Sequence, residues 1–238
     1  MNIEKLYSLT KELPFIEIDY DINLQKLINE YELISEKYNY ENYKTTYPNE
    51  WVKEKYARSW SGISLISSDG SLYRDMYEGE DGASIKTELT SVCPYIYEVI
   101  DKLGGGNLRS RIMRITPNES LIWHSHVLDH KQPDWQLTVQ IPIVMPEQFE
   151  YCVVHKDNFS EEKRLFSPDE FTKVARKKLE AGKAYIFNSY HYHNVYNYSN
   201  EYRITLMVYL DLRQESVQDI VKNSINKKLY HTFEGDVI

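Results

Sequence analysis

Between Leu108 and Leu212 the chain follows a period of two. Short runs at 108–116, 121–126, 135–144, 149–155, 183–187, 192–197 and 203–211 alternate apolar with polar residues and are separated by turn chemistry. Seven or eight such strands fold as a sandwich or a barrel. In the run 135–144, Trp135, Leu137, Val139, Ile141 and Ile143 make one face apolar, while Gln136, Thr138 and Gln140 line the other. A polar face of this kind ordinarily looks at solvent. In a barrel with a ligand cavity it can instead point inward, which would make these three residues part of a pocket. The interruption at 156–181 is charged and contains Ser167-Pro168-Asp169-Glu170, a helix-start signal, so it reads as an insertion carrying a short helix.

Ahead of the strands the period is helical. Leu24, Leu27, Ile28, Tyr31 and Ile34 form an apolar stripe over 21–36, with Asp21 available as N-cap. A second helix is expected over 91–103, where Pro94 suits the first turn and Gly104-Gly105-Gly106 ends it. Residues 40–90 read as irregular, with short strands near Ile63 to Ile66, and a polar helix-compatible segment follows Arg213. We expect one domain over 1–238: a mostly helical region 1–106, a β region 107–212, and a C-terminal helix and tail over 213–238.

Composition narrows the partners. The formal charge of −8 and the lack of a basic stripe argue against nucleic acid and favour a small or peptidic ligand. No apolar stretch reaches a membrane span, and the amino terminus lacks the apolar core of a signal peptide. Cys93 and Cys152 read as unpaired thiols, so the expected compartment is the cytoplasm.

The histidines carry the chemistry. Five of the seven fall in or beside two segments, 122–126 and 188–193. A lone strand histidine is usually structural or exposed, but His124 and His126 are two apart and project to one face of an extended strand. His193 lies about 70 residues on, beside another strand, as expected when strands converge ligands from distant parts of a chain. These three are the candidate metal ligands and catalytic residues.

Pro117 seven residues before His124, the run Gly182-Lys183-Ala184-Tyr185-Ile186-Phe187-Asn188 with His193 eleven residues after its glycine, and Arg203 ten further on together form a pattern. It resembles the iron(II)- and 2-oxoglutarate-dependent oxygenases of the aspartyl/asparaginyl β-hydroxylase group, which includes free-proline hydroxylases, over about 108–212. The resemblance implies an α+β fold: a double-stranded β-helix (jelly-roll, cupin-like) behind an N-terminal helical layer. It also implies Fe(II), 2-oxoglutarate and O2 as cofactor and cosubstrates, with decarboxylation of 2-oxoglutarate to succinate and hydroxylation of an amino acid or peptidyl side chain. His124 and His193 would hold iron, and Arg203 the distal carboxylate of 2-oxoglutarate. Thr205 shares the face of Arg203, and Gln136 and Thr138 stand where relatives hold 2-oxoglutarate. Arg203 also opens an apolar strand, where a buried guanidinium requires an anion, whether a ligand or a structural Asp or Glu.

Position 126 departs from the pattern, since most of the wider class has Asp or Glu two residues after the first histidine. A three-histidine iron site, a histidine packed beside a two-histidine site, and a member that has lost iron chemistry all remain open. Asp129 is an alternative ligand and His130 a loop residue, while His191 could hydrogen-bond His193. Arg111 or Arg114 could assist Arg203, and Trp123, Trp135, Arg114 and Tyr190 are further pocket candidates. The competing functions are a non-catalytic cupin-like metal-binding protein and a three-histidine dioxygenase that does not use 2-oxoglutarate.

Overall fold

A computed structural model describes residues 2–44, 50–74, 85–126, 135–164 and 166–233. The N-terminal part begins with α1 (Ile3–Glu12), β1 (Phe15–Ile18) and α2 (Leu24–Lys37). Asn23, not Asp21, caps α2, because its side chain accepts the Lys26 N–H at 3.1 Å. Then follow β2 (Glu41–Asn42), α3 (Glu50–Ser59), β3 (Trp60–Ser67), β4 (Ile85–Lys86) and α4 (Pro94–Lys102). The region expected to be irregular therefore holds a ten-residue helix running straight into an eight-residue strand. The strand expected near Ile63 to Ile66 is present but longer than alternation suggests, because seven of its eight residues are buried and both faces are apolar or small.

The β region comprises β5 (Ser110–Ile115), β6 (Gln136–Val144), β7 (Phe149–Val154), β8 (Val174–Lys177), β9 (Ala184–Phe187), β10 (Tyr192–Asn197) and β11 (Arg203–Asp211), followed by α5 (Glu215–Asn226) and β12 (Tyr230–His231). The short helix expected within 156–181 is one 3-10 turn, Pro168–Glu170. Its capping box is present, yet the chain turns extended at Phe171, which packs on Trp123 with ring centroids 4.9 Å apart. One hydrogen-bonded turn is a poor nucleus, and burial of Phe171 with pairing of β8 on β7 prevails.

Two sheets result. The larger has the order β12-β1-β9-β6-β11-β5-β3-β2, with β4 on β3; the smaller is β10-β7-β8. Bridges Ser120↔Tyr196 and His124↔His193 add the segment 120–124 to the free side of β10. The eight runs β9-β6-β11-β5 and 120–124-β10-β7-β8 thus form a double-stranded β-helix.

Three apolar clusters explain the layering. Ile112, Val139, Ile141, Leu206 and Val208 on one face of the large sheet pack against Leu27, Ile34, Ile96, Val99 and Val217 of the helices. Each such side chain contributes about 1.5–3 kcal/mol of burial. Met113, Ile115, Tyr185, Phe187 and Met207 on the other face meet Phe149, Tyr151, Val153 and Val195 of the small sheet. Trp123, Cys152, Val154, Phe171 and Tyr196 cover the small sheet's outer side. With the apolar face of β6 claimed by the helices, its polar face looks between the sheets: Thr138 is 1% and Gln140 4% exposed. The helical layer sits close. A Cβ on Gly105 would meet Val208 Cγ1 of β11 at 2.3 Å, so that turn has no room for a side chain.

Candidate metal centre

His124 and His193 stand at facing positions because the segment 120–124 pairs antiparallel with β10, and His126 follows two residues on, its N–H donating to Ser189 O at 3.0 Å. His124 N–H donates to His193 O at 3.2 Å, and His193 N–H donates back to His124 O at 2.9 Å. Ring centroids lie 4.3 Å apart for His124 and His193, 4.9 Å for His126 and His193, and 5.3 Å for His124 and His126. All three are buried, and one ligand atom from each falls within 4.8 Å of the others.

Local backbone fixes two of the tautomers. His124 Nδ1 lies 2.9 Å from Ile122 O and His193 Nδ1 lies 3.1 Å from His191 O. A carbonyl accepts only from N–H, so Nδ1 carries the proton and Nε2 offers its lone pair to an ion. Phe187 stands edge-on to both His193 and His126, at 4.6 and 6.0 Å between centroids, and limits rotation of either ring. A set of three neutral imidazoles suits iron, zinc, nickel or copper.

A cavity of about 350 Å³, adjoining open space included, joins this cluster to Arg203 and Thr205 of β11. Its walls are mainly Trp60, Met113, Ile115, Leu121, Phe187, Val195 and Met207. Arg203 is 2% exposed and lies over the rings of Phe149 and Tyr151, at 5.2 and 4.9 Å from their centroids. Its Nη2 donates to Gln140 Oε1 at 3.0 Å, and the Tyr151 hydroxyl donates to the same oxygen at 2.9 Å. Arg203 Nε and Thr205 Oγ1 are buried without a hydrogen-bond partner among the described residues, and no carboxylate there pairs with Arg203. Burial alone pulls the guanidinium well below its usual pKa. Stranding a buried charge costs several kcal/mol, which an anion bound at this end of the cavity would offset. The residues present fit a metal ion at the histidines and a carboxylate at Arg203.

The structure thus brings His124, His126, His193, Arg203 and Thr205 around one cavity. Gln136 and Thr138 border a separate crevice with Asn188, Ser189 and Tyr190, where Thr138 Oγ1 donates to Ser189 Oγ at 3.3 Å. From the same face of β6 it is Gln140 that reaches the metal cavity. Arg111 faces between the sheets over Trp60 and Tyr43, at 5.4 and 5.6 Å. Arg114 points the other way and ties β5 to α2 by hydrogen bonds to Tyr31 and Ser35, both 3.0 Å.

Of the remaining candidates, Trp123 lies on the outer side of the small sheet, donating Nε1–H to Phe166 O at 2.8 Å. Trp135 is covered by Arg213, and Tyr190 accepts from Lys156 Nζ at 3.0 Å. The His191 side chain serves α1: Nε2–H donates to Lys11 O at 2.8 Å while Nδ1 accepts from Lys156 N–H at 3.1 Å. Burial pushes its pKa down to about 4, so it is neutral near pH 7, and it supports His193 through its backbone carbonyl. Asp129 and His130 lie outside the described residues. Tyr151 was not anticipated, since an inward aromatic on an alternating strand reads as core.

A double-stranded β-helix with a histidine cluster and a buried guanidinium between its sheets combines a site for a divalent metal with a site for an anion. Residues 22–212 match the Aspartyl/Asparaginyl beta-hydroxylase family, and the chain belongs to that family. It is accordingly an enzyme of the 2-oxoglutarate-dependent non-haem iron dioxygenase class. HygX from Streptomyces hygroscopicus, solved with nickel and 2-oxoglutarate bound, superimposes with a TM-score of 0.52 at 12% identity, covering 88% of this chain and 86% of HygX. A prolyl hydroxylase from Trichoplax adhaerens, in complex with a hypoxia inducible factor peptide, gives 0.52 at 11% identity over 91% and 94% of the two chains. A 2OG-Fe(II) oxygenase family oxidoreductase from Burkholderia pseudomallei gives 0.50 at 11% identity over 89% and 91%. At such identities these likenesses concern the fold. No curated protein matches the sequence.

Proposed function

We propose that this protein hydroxylates a C–H bond of an amino acid, free or within a peptide, using iron(II) held by His124, His126 and His193 and 2-oxoglutarate anchored by Arg203 and Thr205. The observation that carries this reading is the buried, unneutralised Arg203 facing the same cavity as three imidazoles. A structural metal site has no use for such an anchor.

The chain's own groups divide the work. The three imidazoles supply neutral nitrogen donors, and carbonyls of Ile122 and His191 hold two of them in the ligating tautomer. Arg203 and Thr205 would donate to the distal carboxylate, which fixes the 2-oxo end toward the histidines. Met113, Ile115, Leu121, Val195 and Phe187 exclude water from the space between. Iron(II) bound there would supply the oxidising chemistry together with 2-oxoglutarate and oxygen: 2-oxoglutarate would lose carbon dioxide, with one oxygen atom going to the resulting succinate and one to the hydroxylated product.

The test is succinate release with iron(II), 2-oxoglutarate and a panel of free amino acids and short peptides. At least one member should stimulate turnover well above the substrate-free rate in wild type but not in Arg203→Ala. If none does, and Arg203→Ala binds 2-oxoglutarate as well as wild type, the reading fails.

A further inference from the structure

The Arg203 end of the cavity contains an arrangement that the proposed chemistry does not by itself require. Gln140 Oε1 accepts two hydrogen bonds, from Arg203 Nη2 at 3.0 Å and from Tyr151 OH at 2.9 Å, while Gln140 Nε2 lies 2.9 Å from Met207 Sδ. Two donors converging on one atom fix which way the amide faces. Gln140, Tyr151, Arg203 and Met207 are each 4% exposed or less, and the Phe149 and Tyr151 rings flank the guanidinium. Arg203 therefore has one orientation, with Nε and the neighbouring Thr205 Oγ1 left to bind something else.

The chemistry of the acceptor matters as much as its position. An amide oxygen can hold a guanidinium through one hydrogen bond without cancelling its charge. A carboxylate in the same place would form an ion pair and satisfy the guanidinium internally. Sequence position 140 thus carries a group that orients the cation and leaves its charge for a ligand.

We propose that Gln140, braced by Tyr151, is the positioning residue that aims Arg203 at the distal carboxylate of the 2-oxo acid and keeps that charge available. The inference rests on the proposed function and assigns Gln140 the task of determining affinity for the dicarboxylate. Its signature is an opposition between binding and stability. Gln140→Glu should pair with Arg203, relieving a buried charge in the ligand-free protein while closing the anion site.

The experiment is calorimetric titration of 2-oxoglutarate into the nickel-loaded full chain, with thermal midpoints measured on the same samples before ligand is added. Wild type should bind, and Gln140→Glu should bind about a hundredfold more weakly while melting at or above the wild-type temperature. Tyr151→Phe, which removes one brace and keeps both charges, should weaken binding about three- to tenfold. The inference is overturned if Gln140→Glu retains wild-type affinity, or if it loses affinity together with a lowered midpoint, the behaviour of a purely structural residue. Failure of the wild type to bind 2-oxoglutarate would remove the functional reading and this inference with it.

Discussion

Position 126 sets the charge of the proposed centre. Three neutral imidazoles around a divalent ion leave a net charge of +2, whereas two imidazoles and a carboxylate leave +1. The higher charge favours a dianionic cosubstrate and agrees with a cavity that also holds an unneutralised guanidinium. The His126 ring sits 4.9 Å from that of His193 and 5.3 Å from that of His124, within the span of one coordination sphere. If His126 ligates directly, His126→Ala should weaken metal binding by more than the roughly 10–100-fold that loss of an outer hydrogen-bond partner costs. His126→Asp should retain the metal, because a carboxylate is itself a ligand for a divalent ion and starts from the same backbone position beside His124 and His193. Competition titration against a chelator measures both variants; unchanged affinity in His126→Ala would remove His126 from the ligand set.

Among the elements, α3 bears most directly on the metal-binding strand. Glu119, one residue before the bridge at Ser120, meets Lys55, Arg58 and Ser59 of α3 at 2.5, 2.6 and 3.1 Å. Burial pushes the Glu119 carboxyl up, but the hydrogen bonds and charges of Lys55, Ser59 and Arg58 outweigh it and hold the pKa below the usual value. A carboxylate depressed in the folded state stabilises the protein above its unfolded pKa, and the contribution is lost as pH falls through the folded value. Glu119→Gln should therefore cost about 1–2 kcal/mol near pH 7, and its midpoint should converge with that of wild type as the pH drops below 4.5, the unperturbed value. A constant gap across that range, in thermal melts at a series of pH values, would contradict the ion-pair account.

The elements also show what a linear pattern can and cannot carry. β10 and β11 fall where alternation puts them, at 192–197 and 203–211, because each has one face between the sheets and register admits no slip. β1 is only four residues long and gains its place by pairing with β9, a contact 170 residues away in the chain that no local window contains. The histidines and Arg203 were legible because coordination and charge need particular residue types. Gln140 was legible as a residue of the polar, pocket-facing side of its strand, but its hydrogen bond to Tyr151 was not, because that contact runs between the two sheets and Tyr151 alone resembles an ordinary core residue.

For the whole molecule, the site faces the space between the two sheets, and an ion bound there ties the segment that carries His124 and His126 to β10. His124 and His126 come from the segment between β5 and β6, and His193 from β10. Metal that binds only the folded state should raise its stability by RT ln(1 + [M]/Kd), about 2.7 kcal/mol at a hundredfold excess over Kd. In a chain of this size that is a rise of roughly 5–10 °C in the melting midpoint. It should grow with metal concentration and disappear with chelator. The same titration on His124→Ala with His193→Ala should be flat; a rise there would place the ion elsewhere. Among the described residues no helix is long and apolar enough to cross a membrane.

The central claim is that one cavity holds iron(II) at its histidines and 2-oxoglutarate between that iron and Arg203. Anaerobic addition of 2-oxoglutarate to the iron(II)-loaded protein tests it directly, because chelation of the 2-oxo acid by iron produces a visible metal-to-ligand charge-transfer band. The account predicts that the band forms and saturates in wild type and is absent, at the same cosubstrate concentration, in Arg203→Met. No band in iron-loaded wild type, or an undiminished band in Arg203→Met, would contradict it.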